Sequence, residues 1–271
     1  MNMRADNISI FKDTERLYTT DADLKEAVAK SIDAQQICTE KEYKPKEYMV
    51  LSYIDTQVEV SKRRSLEAAS RYAREGRKVC VLNFANAFTP GGGVRHGASA
   101  QEEAICRCST LLPCLEDDKN MMEFYNNHRN NLNEFANDDC IYTPGVVVFK
   151  TDDSEPELMD KEDWYSVDII TCAAPDITGY YTHDVDIEEI FAKRIKRIFD
   201  IAVDNGAEVL ILGAFGCGAF GNNPKLVSKV FYDVQREYLG RLHNIEYAVY
   251  CSPRMVPVNY NFFKKTLDEN E

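Results

Sequence analysis

The sequence predicts an α/β protein with a mixed, mostly parallel sheet. Continuous apolar runs of strand length recur along the chain, and amphipathic helical segments alternate with them. At two places a glycine-rich loop joins such a run to a helix. Apolar runs of this kind suit strands that are covered on both faces, so we expect helices on both sides of the sheet.

The first half of the chain contains two predicted helices before its first glycine loop. "DADLKEAVAKSIDAQQ" predicts an amphipathic helix with Asp21 or Asp23 near its N-cap, and "YMVLSYI" is a possible strand. "RRSLEAASRYARE" predicts a helix that Gly76 closes. "KVCVLNFA" predicts a buried strand, and a helix from about Ser99 to Leu112 follows the glycine loop. The polar segment from Asp117 to Thr143 is expected to be helical.

The second half alternates strands and helices more regularly. "GVVVFK" and "VDIITCAA" are strand candidates. Asp186 and Glu189 have capping-box spacing at the start of "DIEEIFAKRIKRIFDIAVDNG", a helix that Gly206 closes. "AEVLILGAF" predicts another buried strand, "NNPKLVSKVFYDVQREYL" a helix with Pro224 near its first position, and "IEYAVYCS" the last strand.

Composition excludes several classes of protein. The formal net charge of −13 disfavours a surface that grips long nucleic acid, although backbone N–H groups can still hold a small anion. Neither an apolar run of membrane-spanning length nor a signal peptide is visible, so we expect a cytoplasmic protein with no membrane partner. The nine cysteines are expected to be reduced and mostly buried, and their spacing does not predict a zinc site.

The loop in "ILGAFGCGAFGNNP" matches G-x-G-x-x-G at Gly216, Gly218 and Gly221, between a strand and a helix. A Rossmann dehydrogenase would carry this fingerprint on its first strand, but only about fifty residues follow it here. Glu246 also begins the next strand, whereas the ribose-binding acid ends one. The loop is therefore either a pyrophosphate site at a helix N-terminus or a tight turn.

The loop in "FTPGGGVRHGASAQEE" also connects a buried strand to a helix. Gly91, Gly92 and Gly93 permit close approach of the backbone to a ligand. Two such units place two N–H-rich loops at the same carboxyl edge of a sheet, where a diphosphate fits between them. Glu102 and Glu103 would then lie beside a ribose, unless they only decorate the start of the helix.

Several other side chains near these loops have two interpretations. Asn83 and Asn86 could bond to ribose hydroxyls or, equally well, to the local backbone. His96 is expected to be a surface residue rather than a catalytic base. Phe215 and Phe220 flank the second loop, where either ring could lie against a ribose or adenine or belong to the core.

The spacing GGG, seven residues, QEE resembles the signature of poly(ADP-ribose) glycohydrolases. "NFANAFTPGGGV" and "GAFGCGAFGNNP" are similar to the microbial-type branch of that family. The resemblance extends from about Leu66 through the glycine-rich loop near Pro224 and on to the final strand. It implies a macrodomain-like three-layer α-β-α sandwich that binds ADP-ribose. We therefore expect residues 1–45 to form an N-terminal helical extension and residues 46–271 the catalytic domain.

The resemblance also implies roles for individual residues. Glu103 is implied to be the catalytic residue, and Glu102 to hold the ribose hydroxyls at the scissile bond. No metal or other cofactor is implied, the substrate is poly(ADP-ribose) or ADP-ribosylated protein, and ADP-ribose is the product. The implied ligand-binding residues are Asn86, Gly91, Gly92, Gly93, Gln101, Gly216, Cys217, Gly218, Ala219 and Phe220.

The expected reaction is hydrolysis of an O-glycosidic bond through an oxocarbenium-like transition state. Adjacent residues on a helix point about 100° apart, so Glu102 and Glu103 are unsuited to the usual pair of separate catalytic carboxylates. Three alternatives share the same ligand: a non-catalytic ADP-ribose reader, a hydrolase of mono-ADP-ribosyl adducts, and a nucleotide-sugar-binding regulator.

Overall fold

The computed structural model describes residues 3–47, 54–130, 135–178, 185–252 and 256–269. Its strands are β1 (Gln36–Cys38), β2 (Gln57–Ser61), β3 (Val79–Phe84), β4 (Cys140–Val148), β5 (Tyr165–Cys172), β6 (Val209–Leu212) and β7 (Asn244–Ala248). Its α-helices are α1 (Met3–Thr20), α2 (Ala22–Ala34), α3 (Ser65–Ala73), α4 (Gln101–Cys108), α5 (Leu111–Leu115), α6 (Asp118–Asn120), α7 (Asn126–Asn130), α8 (Ile187–Asp204), α9 (Pro224–Gln235) and α10 (Val258–Asp268). Single turns of 3-10 helix span Val94–His96 and Lys161–Asp163, and a π-helical turn spans Met121–Tyr125.

The described strands form one sheet in the order β1-β4-β5-β3-β6-β7-β2. The five strands from β5 to β2 in this order run parallel. Strands β4 and β1 close one edge with antiparallel pairing. The prediction of a mixed, mostly parallel sheet is confirmed.

Alternating side chains of the central strand β3 separate the core into two halves. Cys80 and Leu82 pack in a cluster with side chains of α8, α9 and α10. Val79 and Val81 pack on the opposite face with side chains of α1, α3, α4 and α5. This period of two is the normal pleat of a strand, and it places the sheet between two helical layers. The α-β-α sandwich is confirmed.

The N-terminal segment is helical, as predicted, and it also contributes a strand. Asp21, rather than Asp23, caps α2, because its carboxylate accepts hydrogen bonds from the backbone N–H groups of Asp23 and Leu24. Strand β1 pairs with β4 at the sheet edge, and Phe11 of α1 is buried in the core. The division of the chain at residues 45 and 46 stays a prediction.

Several helix boundaries predicted from capping residues agree with the structure. Asp186 accepts a hydrogen bond from the backbone N–H of Glu189 at the start of α8, and Pro224 is the first residue of α9. Gly76 and Gly206 close their helices with φ of +79° and +73°, a conformation that favours glycine.

Other predicted boundaries are wrong. The helix expected from Ser99 to Leu112 is interrupted at Ser109, because Thr110 donates its N–H to the carbonyl of Val147 in β4. The segment expected to be helical from Asp117 to Thr143 is helical only as far as Asn130 in the described residues, and its last four residues begin β4. A long apolar strand outcompetes a local polar pattern there.

Some elements were not predicted or lie outside the described residues. Strand β2 is short and half polar. The predicted last strand is present as β7, and helix α10 follows it in a segment for which we predicted no element. Residues 48–53, most of "YMVLSYI", are outside the described residues. All nine cysteines are free thiols and seven are buried, which confirms the expectation for them. In the described ranges, none of the helices combines the length and apolarity needed to cross a bilayer.

Candidate active site

The two glycine loops leave the sheet from neighbouring strands. Strands β3 and β6 are parallel partners, so the loops that follow them begin at the same carboxyl edge. The rings of Phe84 and Phe215, one at the start of each loop, lie 5.7 Å apart between centroids. A Cβ atom at Gly213 would come within 2.9 Å of the Phe84 ring, so a glycine is required for the loops to be this close. The predicted common edge is confirmed.

In the first loop, glycines allow the backbone to pack directly against the two glutamates. Gly91 and Gly92 have φ of +66° and +55°, which disfavours other residues. A Cβ atom at Gly92 would lie 2.6 Å from Oε1 of Glu103 and 3.1 Å from Oε2 of Glu102. The glycine signature and the paired glutamates are therefore one packed unit.

Gln101 fixes the start of helix α4 against the end of strand β3. Its side-chain Nε2 donates to the carbonyl of Leu82 at 2.7 Å, and its Oε1 accepts from the N–H of Phe84 at 2.9 Å. Nε2 also lies within bonding distance of the Ser65 hydroxyl. Both ends of the amide are thus engaged by the protein, and the side chain holds the helix so that the next two residues face the glycines.

Glu102 is enclosed by hydrogen-bond donors. It is 3% exposed, its Oε1 accepts from Nδ2 of Asn83 at 3.3 Å, and its Oε2 accepts from the N–H of Asn86 at 2.8 Å. Burial raises the pKa of Glu102 to about 8, because desolvation and the nearby charge of Glu103 outweigh these donors. This shift favours the protonated form of Glu102 in the free protein.

Glu103 is held differently from its neighbour. It is 7% exposed, and its Oε1 accepts from the N–H of Gly93 at 2.9 Å. Its Oε2 is buried and has no hydrogen-bond partner among the described residues. One oxygen thus fixes the carboxylate, and the other makes no hydrogen bond within the described residues.

The two asparagines act within the protein. Asn83 is fully buried, and its Nδ2 bonds to Thr171 as well as to Glu102. The side-chain oxygen of Asn86 accepts from the N–H groups of Phe88 and Thr89, which closes a local turn. Asn83 thus bonds to two side chains that are distant in sequence, and Oδ1 of Asn86 bonds to the local backbone. Nδ2 of Asn86 donates to no atom in the described residues, so its contact with a ribose hydroxyl stays a prediction.

The second loop presents main-chain donors. Cys217 uses its N–H internally, to the carbonyl of Ala214 at 3.0 Å. Several N–H groups of this loop donate to no atom of the residues that the structure describes: those of Gly216, Gly218, Ala219 and Phe220. Helix α9 begins directly after the loop, so its N-terminal dipole adds to these donors. Together they form the kind of N–H-rich turn that binds phosphate.

Asn222 braces this loop and was not singled out by the sequence. It is 3% exposed, and its Nδ2 donates to the carbonyls of Pro175 and Gly216 at 2.7 and 3.0 Å. Gly216 has φ of +73°, and a Cβ atom there would lie 2.7 Å from Ala174 Cβ and from Asn222 Nδ2. The only sequence signal is an asparagine before the Asn223 cap of α9, which is too common to predict the role.

The remaining candidates lie in the core, at its edge or at the surface. Phe215 is fully buried and contacts the rings of Phe84 and Phe191, so its role is packing. Phe220 is half-buried and packs partly against the core. His96 is exposed, as expected. No group of three or more potential metal ligands converges within the described parts of the chain.

The fold and these loops define a macrodomain-like α/β protein with a buried pair of glutamates beside its glycine signature. The sequence matches the family model of the microbial-type PARG (poly(ADP-ribose) glycohydrolase) catalytic domain over residues 7–151, more than half of the chain. The chain belongs to this family. The match begins inside α1, so it includes most of the N-terminal helical segment.

Solved structures of bacterial poly(ADP-ribose) glycohydrolases are similar to this chain. The enzyme from Thermomonospora curvata is 27% identical, with a TM-score of 0.85 over 97% of this chain and 100% of that chain. The same enzyme bound to the inhibitor ADP-HPD is 28% identical, with a TM-score of 0.80 over 97% and 99%. A point mutant of the enzyme from Deinococcus radiodurans in complex with ADP-ribose is 25% identical, with a TM-score of 0.79 over 89% and 97%.

No curated protein sequence matches the chain significantly. The family match and the structural matches nevertheless agree in class, because each is to a poly(ADP-ribose) glycohydrolase. Together they support glycohydrolase activity for this chain.

Proposed function

We propose that the protein hydrolyses the ribose–ribose O-glycosidic bond of poly(ADP-ribose) and releases ADP-ribose, with Glu103 as the catalytic acid and base. The observation that carries this proposal is the contrast between the two glutamates. Both oxygens of Glu102 accept hydrogen bonds from the protein, whereas Oε2 of Glu103 is buried without a partner among the described residues. A buried carboxylate oxygen without a partner is costly unless a ligand engages it.

In this proposal the second loop holds the diphosphate. Its free N–H groups and the start of α9 supply positive partial charge from the main chain, which a chain of net charge −13 can still offer to a small anion. Because β3 and β6 are neighbours, a diphosphate on the β6 loop leaves the attached ribose beside the β3 loop. The scissile bond then lies next to the carboxylates.

The chemical steps follow from that placement. In the substrate complex Glu103 enters the step as the carboxylic acid and donates its proton to the departing ribose oxygen, as the C1–O bond breaks and an oxocarbenium-like centre develops. The resulting Glu103 carboxylate then removes a proton from the attacking water. Glu102, protonated and held by Asn83 and Asn86, positions the hydroxyls of the reacting ribose and keeps the negative charge beside the diphosphate low.

We also propose that this reaction takes place in the cytoplasm, on poly(ADP-ribose) or on ADP-ribosylated proteins. The structures of similar enzymes in complex with ADP-ribose and ADP-HPD support an ADP-ribose site of this kind. The residue assignments are those that the signature implies: the glycines of the first loop line the ribose, and the second loop lines the diphosphate.

The direct test is release of ADP-ribose from poly(ADP-ribose), with wild-type protein compared with Glu103→Gln. Loss of the acid and base is expected to lower the rate about 100-fold to 10,000-fold, while calorimetry shows retained binding of ADP-ribose. Glu26→Gln, on the exposed face of α2, is the matched control and is expected to behave as wild type.

The other possible functions give different results in the same assay. Wild-type protein that binds ADP-ribose and leaves the polymer intact would be a reader. Wild-type protein that releases ADP-ribose only from a mono-ADP-ribosylated protein would be a hydrolase of mono-ADP-ribosyl adducts. A Glu103→Gln variant that cleaves polymer at the wild-type rate would show that Glu103 is not the catalytic acid and base.

A further inference from the structure

We infer that helix α1 is a brace that positions Glu103 for catalysis by fixing the turn after the first glycine loop. The inference rests on the proposed function. The turn comprises residues 93–98, which connect the last signature glycine to the segment that begins α4. Helix α1 contacts it through Asn7, Phe11 and Glu15, although α1 precedes the turn by about 80 residues in sequence.

The closest contact is at Gly97. Asn7 of α1 is 6% exposed, and its Nδ2 donates to the carbonyl of Gly97 at 3.1 Å. Gly97 has φ of +76°, and a Cβ atom there would lie 2.3 Å from the carbonyl oxygen of Arg4. Only glycine leaves room for α1 in this position, so the turn and the helix are fitted to each other.

A second contact involves Arg95. Its guanidinium bonds to Glu15 of α1 and to both carboxylate oxygens of Glu116 at 2.9 Å, and it lies 5.5 Å from the centroid of the Phe11 ring. Phe11 is 2% exposed and packs in the same cluster as Val94. The α1 face therefore covers the turn with apolar and charged contacts together.

Helix α1 also holds the far end of α4. The hydroxyl of Thr14 donates to the carbonyl of Arg107 at 2.6 Å, in a buried position. Arg107 in turn donates from a guanidinium nitrogen to the carbonyl of Ala98 at 2.6 Å. Both ends of the unit that carries the catalytic glutamate are thus connected to one helix.

The turn transmits these contacts to Glu103 through Gly93. The Gly93 carbonyl accepts from the N–H groups of His96 and Ala98 at 2.9 and 3.2 Å, and its own N–H donates to Oε1 of Glu103. A shift of the turn therefore moves the donor that orients the carboxylate. Misplacement of a reacting group by about 1 Å can cost about 100-fold in rate. The α1 residues are positioning residues, since they reach the site only through the turn.

The test compares Gly97→Ala with Gly76→Ala in the full-length chain. Both glycines have nearly the same φ, +76° and +79°, but a Cβ atom at Gly76 has no neighbour within 4 Å. Gly76→Ala therefore reproduces the backbone strain without pushing on α1. We expect Gly97→Ala to lower kcat for polymer hydrolysis at least about tenfold, with the dissociation constant of ADP-ribose changed less than about threefold. Gly76→Ala is expected to keep the wild-type kcat.

Hydrogen–deuterium exchange of residues 91–98 provides a readout that does not depend on activity. Exchange is expected to become faster in this segment in Gly97→Ala and to remain at the wild-type rate in Gly76→Ala. Equal kcat and equal exchange rates in the two variants would show that α1 does not position Glu103 through this turn. If Gly97→Ala fails to fold, Asn7→Ala is tested in its place. It is also expected to lower kcat while leaving the dissociation constant of ADP-ribose nearly unchanged.

Failure of the proposed function gives a different pattern. Wild-type protein that does not hydrolyse polymer contradicts the proposed activity. In that case the exchange rates of residues 91–98 in the two variants still test whether α1 fixes the turn. Wild-type protein that is active, with Gly97→Ala and Asn7→Ala equally active, leaves the proposed function standing and rejects the brace.

Discussion

The two glycine-rich loops look alike in sequence and use their glycines for opposite purposes. In the first loop, Gly92 and Gly93 donate their N–H groups to the carbonyl of Thr89 and to Glu103. In the second loop, the N–H groups of Gly216 and Gly218 donate to no atom within the described residues. The first loop uses its donors within the protein and shapes a carboxylate site, whereas the second leaves donors unpaired within the described residues, as the proposed diphosphate site requires.

This difference shows that a glycine cluster after a strand does not by itself indicate an anion site. In the first loop the missing Cβ atom makes room for Glu103, which approaches the backbone of Gly92. In the second loop the positive φ of Gly216 turns the chain so that successive N–H groups are exposed together. The first loop should therefore govern rate, and the second should govern affinity for the diphosphate.

The largest effect is expected from Gly92→Ala. The new methyl group would lie 2.6 Å from Oε1 of Glu103 and force that carboxylate out of position. We expect kcat for polymer hydrolysis to fall about 100-fold or more, with a smaller change in ADP-ribose affinity. Steady-state kinetics and calorimetry separate the two quantities.

Gly206→Ala is the control for Gly92→Ala, because its φ is +73° and a Cβ atom there meets nothing within 4 Å. It reproduces the cost of a positive φ, about 1 to 2 kcal/mol, far from the loops. A Gly92→Ala protein with normal kcat and weakened binding would reverse the roles assigned to the two loops.

The next effect is expected from Gly216→Ala. Its methyl group would collide with Ala174 and with the Asn222 side chain that braces the loop. Displaced N–H groups lose charge-assisted hydrogen bonds, so the dissociation constant of ADP-ribose should rise roughly tenfold to 100-fold. At saturating substrate kcat should change much less. A variant whose kcat falls while its affinity is retained would contradict this division.

Much of this site follows from short sequence patterns. Strand-to-helix loops rich in glycine predicted the common edge, because the carboxyl ends of parallel strands coincide in any sheet of this class. The helix starts at Asp186 and Pro224 followed from local capping chemistry, which needs no tertiary information.

The features of the site that could not be predicted from the sequence depend on contacts between residues that are distant along the chain. Gln101 bonds to strand β3, and Asn222 bonds to Pro175, so neither role has a local pattern. The raised pKa of Glu102 follows from burial, which motif spacing does not encode. Strand β1 is only three residues long and gains its structure from pairing with β4.

The raised pKa of Glu102 predicts how the stability of the protein depends on pH. Its pKa is raised from 4.5 to about 8 by burial, so the folded protein binds a proton that the unfolded chain has released. The free energy of unfolding should therefore fall by up to about 1.4 kcal/mol per pH unit as the pH rises from about 5 to about 8, and then level off.

Denaturant unfolding of wild type and Glu102→Gln across this pH range isolates the Glu102 contribution. The variant cannot titrate at this position, so its stability should decline less as the pH rises through the range. Parallel curves for the two proteins would mean that Glu102 is ionised in the folded protein.

The smallest effect is expected from Cys217→Ala, which tests whether the second loop acts through its backbone. The Cys217 N–H is already donated to Ala214, and its Sγ lies near the carbonyl of Phe215. Burial also raises the pKa of this thiol to about 12, so it stays neutral beside the diphosphate. We expect the dissociation constant of ADP-ribose to change less than about threefold, since a truncated side chain leaves the neighbouring N–H groups in place. A loss of more than about tenfold, with unchanged thermal stability, would show that the thiol itself contacts the ligand and that this loop does not rely on its main chain alone.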